Sequence, residues 1–351
     1  MALTCLRQAN RSLITLRECP AIGIPSMNAK YALPAILACT CAGVVTPALA
    51  DDPAQLVLHD GFDGKDFAPS GHLYYRENFE QKAGTVEFQS DVKRSGTGAL
   101  KLSVKPFCPP GKANCSERAE IWERTKYRVP YDQGVWYGFA VKFADPIPSG
   151  DHRYLIAQWK REIGPKAKGD FSPFLALRLN NGKLFATVET NYVAPIARKD
   201  GPKNDSKACS KGETPVWFRP DTNQMRALVA TDGNWNAADG EEFTDCTSAI
   251  KVINRGNSLP TPASGWIDFA IYSKPGPNGS GHIEIFANNK WISTVTGHIG
   301  HGDHGLGENQ YFKFGPYRAA DTTIWTLYYD DFRRSPRCTD VLADPNLCPM
   351  K

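Results

Sequence analysis

The sequence contains no Cys-x-x-Cys pair, no internal repeat and no long stretch of helical period. The first absence argues against a structural zinc centre, which commonly gathers its cysteines in such pairs. The other two argue against solenoids, coiled coils and helical bundles. Nor is there an apolar run long enough to cross a bilayer as a permanent helix. Charge of one sign is also scarce in excess: 41 Lys and Arg stand against 37 Asp and Glu in 351 residues. General basicity of the kind that binds nucleic acid is absent, so any basic function has to come from a local patch.

What is present near the N-terminus fits a secretory leader. Lys30 supplies the positive start after Met27, ALPAILACTCAGVV the apolar centre, and Ala48 and Ala50 the small residues of a cleavage site before Asp51. Residues 1–50 are therefore expected to be leader, with Met27 as the true start, and 51–351 to be one working domain, secreted or periplasmic. An Arg-rich extension ahead of Met27 is the alternative. Loss of the leader would bring the charges almost into balance. Six cysteines would remain, Cys108, Cys115, Cys209, Cys246, Cys338 and Cys348. An even number in an exported chain points to disulfides, and the simplest of the fifteen pairings joins near neighbours: Cys108–Cys115, Cys209–Cys246 and Cys338–Cys348.

Strand signals dominate the rest. WYGFAVKF, RYLIAQWKRE, WIDFAIYSK, YFKFGPYR and IWTLYYDDF are short, alternating or apolar, rich in aromatic and β-branched residues, and bounded by Gly, Pro and Asn. Asn181-Gly182 is a strong hairpin signal and Asn288-Asn289 a fair one. The expectation is an all-β, two-sheet jelly-roll sandwich of concanavalin A-like type. Residues 191–265 differ, being rich in Pro, Gly, Asn, Asp and Lys, and are expected to form a lid or an ordered insertion tied by Cys209–Cys246.

Three stretches carry chemistry. In YFKFGPYR (311–318), period two puts Tyr311, Lys313, Gly315 and Tyr317 on one face and Phe312 and Phe314 on the other. In SERAEIWER (116–124), Arg118, Glu120, Trp122 and Arg124 share a face if the stretch is extended, and IAQWKRE (156–162) puts Gln158, Lys160 and Glu162 together. Such faces fit a concave sheet lining a groove; the alternative is a solvated outer face laced with salt bridges. Pro316 signals an edge, a bulge or a strand end. Two further clusters invite metals. His298, His301, His304 and Asp303 lie in GHIGHGDHG, but not at zinc-motif spacing. Asp60, Asp63, Asp66, Asp330 and Asp331 suggest a structural calcium, though no EF-hand loop is present and turn-forming is the commoner use of such residues.

RAEI, AQW and YFKFGPYR, in that order, resemble the motifs of jelly-roll polysaccharide lyases of the heparin lyase I and glucuronan lyase types and, more distantly, of alginate lyases. The resemblance runs from about residue 55 to 335. It implies β-elimination on a uronate-containing polysaccharide, with no cofactor required beyond the structural calcium that some similar lyases hold. The proton at C5 is weakly acidic, so the adjacent carboxylate has to be neutralised, a base has to take the proton, and an acid has to protonate the leaving oxygen. Carried over by motif, Arg118 and Gln158 are the neutralisers and Tyr317 the acid, with Tyr317 also a candidate base. Lys160 stands where the similar families have a histidine and is a carboxylate binder or a desolvated base. One of the clustered histidines, or less strongly His152, is the substitute base otherwise. Lys313, Tyr311, Glu120, Trp122, Arg318, Asn191, Tyr192, Arg198 (beside Lys199) and His301 are expected to contact substrate. The implied partner is glucuronan, alginate or a glycosaminoglycan, met by a monomer. A non-catalytic carbohydrate binder is the first rival. The second is a glycoside hydrolase, although the E-x-D-x-x-E strand of sandwich glucanases is absent and only Glu117, Glu120 and Glu123 keep that reading open.

Overall fold

The structure, a computed structural model, describes residues 57–109, 112, 115–194, 196–197 (backbone alone), 209–240, 242–302 and 304–349. The expected leader, Arg198, Lys199 and Asp303 lie outside the described residues. Among those residues there are 21 strands, numbered β1 to β21 in chain order, a few 3-10 turns and no α-helix. No helix among them is long and apolar enough to cross a membrane.

The strands form two sheets. One runs β16 (Ile250–Asn254), β19 (Lys290–Ile299), β18 (Gly276–Ala287), β17 (Trp266–Lys274), β8 (Val135–Phe143), β21 (Trp325–Ser335), β4 (Ala99–Val104) and β3 (Gly84–Gln89), with β1 (Leu58–Asp60) on β21. The other runs β12 (Ile196–Ala197), β15 (Asp245–Thr247), β13 (Thr214–Arg219), β14 (Gln224–Thr231), β11 (Lys183–Thr190), β10 (Leu175–Asn180), β9 (Tyr154–Ile163), β20 (Leu306–Ala319), β6 (Ile121–Glu123) and β2 (Leu73–Tyr75). Two short strands, β5 (Ser116–Arg118) and β7 (Val129–Pro130), also pair with β20. This is the expected two-sheet jelly-roll sandwich. Asn181 and Gly182, with φ of 48° and 72°, make the β10–β11 turn, and Asn288 and Asn289, with φ of 47° and 57°, the β18–β19 turn.

The sheets meet through their apolar faces. Phe312 and Phe314 of β20 turn inward, as period two requires. Phe312 lies 5.0 Å from Tyr137 and 5.4 Å from Phe139 between ring centroids, and Phe314 4.9 Å from Tyr329. A fully buried ion pair crosses the same interior: Arg334 of β21 donates to Glu123 of β6 at 2.6 Å. All three near-neighbour disulfides are formed, Cys108–Cys115, Cys209–Cys246 and Cys338–Cys348.

The described residues add detail to several expectations. The described part of 191–265 is woven into both sheets, with β13, β14 and β15 extending one and β16 edging the other. Its strand signals were diluted by Pro, Gly and Asn in the connecting turns. The aspartates act as loop caps. Asp60 accepts from the amides of Phe62 and Ala68 at 2.8 Å each, Asp63 from Gly98 at 3.0 Å, and Asp330 from Arg94 and Ser95 at 2.8 and 3.1 Å. Among the described residues no group of three His, Cys, Asp or Glu gathers as metal ligands.

The centre of β20 is irregular, as Pro316 suggested. Phe314 pairs with Ala157 and Tyr317 with Leu155, so β20 spends Gly315 and Pro316 where β9 spends only Ile156. Gly315 adopts a φ of 126°, and a Cβ there would lie 2.0 Å from the carbonyl of Ala119. It points into the interior and does not share the face of Lys313, as strict alternation had it. SERAEIWER breaks at the same level: β5 ends at Arg118, β6 starts at Ile121, and the Ala119 amide donates to Pro316 at 2.9 Å.

Candidate active site

A cleft of about 500 Å³ crosses the larger sheet from β5 and β20 over β9, β10 and β11 to β14 and β13. Arg118, Gln158, Lys160, Lys313 and Tyr317 all line it, so the three chemistry-bearing stretches do converge. Register explains why. Lys313 is opposite Gln158 on one side and Trp122 on the other, Tyr311 is opposite Lys160, and Tyr317 is opposite Arg118 and Leu155.

Tyr317 is held between cations. The Arg118 guanidinium carbon lies 4.0 Å from its ring centroid and that of Arg153 4.7 Å, with the Lys313 ammonium at 5.9 Å. Beneath it lies Glu120, at 1 % exposure, which accepts from Lys313 at 2.9 Å, from Arg118 at 3.4 Å and from Gln158 Nε2. Burial works to raise the Glu120 carboxyl, but Lys313 and Arg118 outweigh it and hold the group below the usual carboxylate range. Burial pushes the Lys313 ammonium down to about 7, against the pull of Glu120 and helped by Lys160 and Arg118. Lys160 is held below the usual ammonium range by burial, and it has no hydrogen-bond or ion-pair partner among the described residues. Arg118 is further tied to Glu80 at 2.7 Å.

The remaining expected contacts fare differently. Glu120 is an internal counterion rather than a substrate contact. Trp122, at 7 % exposure, is stacked on Tyr311 at 5.5 Å with Lys313 and Arg76 against its ring, so it is no open platform. Tyr311 is buried and does not line the cleft; burial raises its hydroxyl, and Arg128 stacks on its ring at 4.4 Å. Arg318 is wholly buried, donating to Glu117 at 2.8 Å, because the residue after Tyr317 faces away from the cleft. His301 is buried too, its ring 5.6 Å from that of Phe171, its amide donating to the Tyr131 hydroxyl and its carbonyl accepting from Arg161. Asn191 accepts from the Gly302 amide at 3.1 Å, and Tyr192 stacks on His298 at 3.6 Å; neither lines the cleft. His152 does line it, near Asp321 at 3.4 Å.

Sequence reasoning missed the far half of the cleft. Arg178, Arg219 and Arg226 add three cations there, and Phe185, Trp217 and Trp235 add aromatic walls. Arg226 donates to the buried Glu189 at 2.8 Å, and Arg219 reaches the same carboxylate at 3.5 Å. Burial would raise Glu189, yet these arginines hold it below the usual range. Arg178 is 7 % exposed, and its Nε donates to Thr187 Oγ1 at 3.0 Å. Burial, with Arg226 alongside, holds its guanidinium well below the usual range. One signal was available: in LALRLN a lone arginine interrupts an apolar strand. Arg219 and Arg226 sat in the stretch whose strands were obscured.

The fold matches that of an endo-β-1,4-glucuronan lyase from the fungus Trichoderma reesei, at 16 % identity and a TM-score of 0.50, covering 81 % of this chain and 96 % of that one. A second solved structure, the cellulose-induced protein Cip1, aligns at 14 % identity and a TM-score of 0.43 over 80 % of this chain and 97 % of its own. No curated protein matches the chain. The family described as polysaccharide lyase matches residues 68–333, most of the chain and all of the strands that build the cleft's floor. The chain belongs to the polysaccharide lyase family.

Proposed function

We propose that this lyase is exported and cleaves a uronate-containing anionic polysaccharide by β-elimination, with Tyr317 handling the protons. The observation that carries the reading is the flanking of Tyr317 by Arg118 and Arg153 on the same cleft wall as Gln158, Lys160 and Lys313. A uronate carboxylate seated there meets Arg118, the ammonium of Lys160 and an N–H of Gln158. Their charge stabilises the enolate-like state as the C5 proton leaves. The Tyr317 oxygen takes that proton, the electron pair left on C5 forms the C4–C5 double bond, and the C4–O bond breaks. The same oxygen then returns the proton to the departing sugar, so a histidine is not needed where Lys160 stands. Glu120 keeps Arg118, Gln158 and Lys313 in place without touching substrate. The leader pattern and the three disulfides support export.

The test is ultraviolet absorbance of the protein mixed separately with glucuronan, alginate, heparin and hyaluronan. The expected result is a rise from the conjugated double bond on one polymer, abolished by Tyr317→Phe. New reducing ends without that absorbance would mean hydrolysis, and binding without either product would mean a carbohydrate binder; each overturns the reading.

A further inference from the structure

Among the described residues, Arg178 is a buried cation with no carboxylate in direct contact; Glu189 acts on it only across space. Charged side chains this far from water are ordinarily paired, because an unpaired one carries its full desolvation cost. Yet among the described residues no carboxylate lies within ion-pair distance of Arg178, and its one side-chain hydrogen bond is to a neutral hydroxyl, Thr187. The nearby Glu189 pairs directly with Arg226 at 2.8 Å and with Arg219 at 3.5 Å, and not with Arg178. Arg178 also lines the cleft.

Its place in the sheet is informative. Tyr317 pairs with Leu155, Leu155 with Arg178, and Arg178 with Phe185, which makes one row across four strands. Two strand spacings separate Tyr317 from Arg178, roughly 10 Å. Beyond Arg178 the row reaches Phe185, whose ring lies 4.9 Å from that of Trp235. A sugar chain laid across the strands from Tyr317 thus meets a second cation and then an aromatic wall.

Resting on the lyase reading above, we propose that Arg178 binds the anionic group of a sugar neighbouring the one that is cleaved, so that the cleft selects consecutive acidic sugars. Uronate homopolymers satisfy this requirement. Polymers in which uronates alternate with uncharged sugars do not.

The experiment uses glucuronan and glucuronan in which part of the carboxyl groups has been reduced to alcohols at random. Digests are read by mass spectrometry for the sugars flanking each new unsaturated end. The wild type is expected to cut where one particular neighbour is acidic and to avoid bonds where that neighbour is neutral. Arg178→Met is expected to lose this preference and to bind intact glucuronan roughly ten- to hundred-fold more weakly, with Arg178→Lys between. Binding is measured by calorimetry in the Tyr317→Phe background, so it needs no turnover, and circular dichroism checks that each variant is folded. Cutting by the wild type without regard to the neighbour, or equal loss of affinity by Arg178→Met for the native and the reduced polymer, overturns the proposal. Absence of unsaturated ends on every polymer defeats the lyase reading instead, while the calorimetric comparison still decides whether Arg178 holds a carboxylate.

Discussion

At the scale of single residues, the site turns on buried charge. Lys313 has the clearest consequence for pH. With its ammonium pushed down to about 7 and Glu120 staying ionised, raising the pH through neutrality removes one positive charge from the cleft and leaves the negative one. Affinity for a polyanion then falls, so KM should rise between about pH 6 and 8, whereas Lys313→Arg, which keeps its charge, should flatten that rise. Stability moves the other way. Below about 7 the folded and unfolded chains both hold this proton; above it, up to the unfolded value near 10.4, only the unfolded chain does, so this group makes stability increase with pH in that window. Urea titrations at pH 6 and 9, wild type against Lys313→Met, measure it. Gln158 and Lys160 were legible because their period-two spacing survives folding, whereas Arg118 and Tyr317, next to a strand break and a bulge, were legible through the motifs that hold them. Glu120 and Trp122 were misread for one reason: spacing reports the face of a strand, not what is stacked on that face; Arg318, next to Tyr317, lies on the other face, as period two itself implies. Trp122 is on the cleft side but covered by its neighbours.

At the scale of elements, β20 decides the geometry. Its bulge at Gly315-Pro316 compensates for the single residue spent by β9, and Tyr317 thereby returns to the face that Lys313 occupies. Gly315→Ala places a Cβ against the Ala119 carbonyl at a φ that L-residues rarely adopt. The expected cost is on the order of 1–3 kcal/mol in urea unfolding. Turnover should fall by roughly 100-fold if the bulge shifts Tyr317 by about 1 Å, with affinity for the polymer less affected. A wild-type turnover number in this variant would show that the bulge does not set Tyr317. Pro316 announced an irregularity in the sequence, and the Asn-Gly and Asn-Asn turns announced their hairpins. The strands of 209–254 were not announced, because short strands between Pro- and Gly-rich turns lose the alternation that marks longer ones.

At the scale of the whole molecule, a nearly balanced charge total hides a strongly basic cleft. If the substrate is the polyanion proposed above, its attraction comes from one face, and KM should increase with salt as the Debye length shrinks from about 10 Å at 0.1 M to about 3 Å at 1 M. A salt-independent KM would contradict a charge-led encounter. The Cys209–Cys246 bridge, closing 37 residues, restrains the strands that carry Arg219 and Arg226. The chain-entropy argument puts its contribution at about 4 kcal/mol, so the Cys209→Ser, Cys246→Ser double variant should unfold at clearly lower urea. The β9 and β20 strands bring a further consequence. They lie in the middle of their sheet, hydrogen-bonded on both sides, so the amides around Gln158 and Lys313 belong to the last ones to exchange with heavy water. If Gln158 and Lys313 line the site as proposed, their slow-exchanging backbone would make that part of the cleft a fixed template, to which the incoming chain would have to bend.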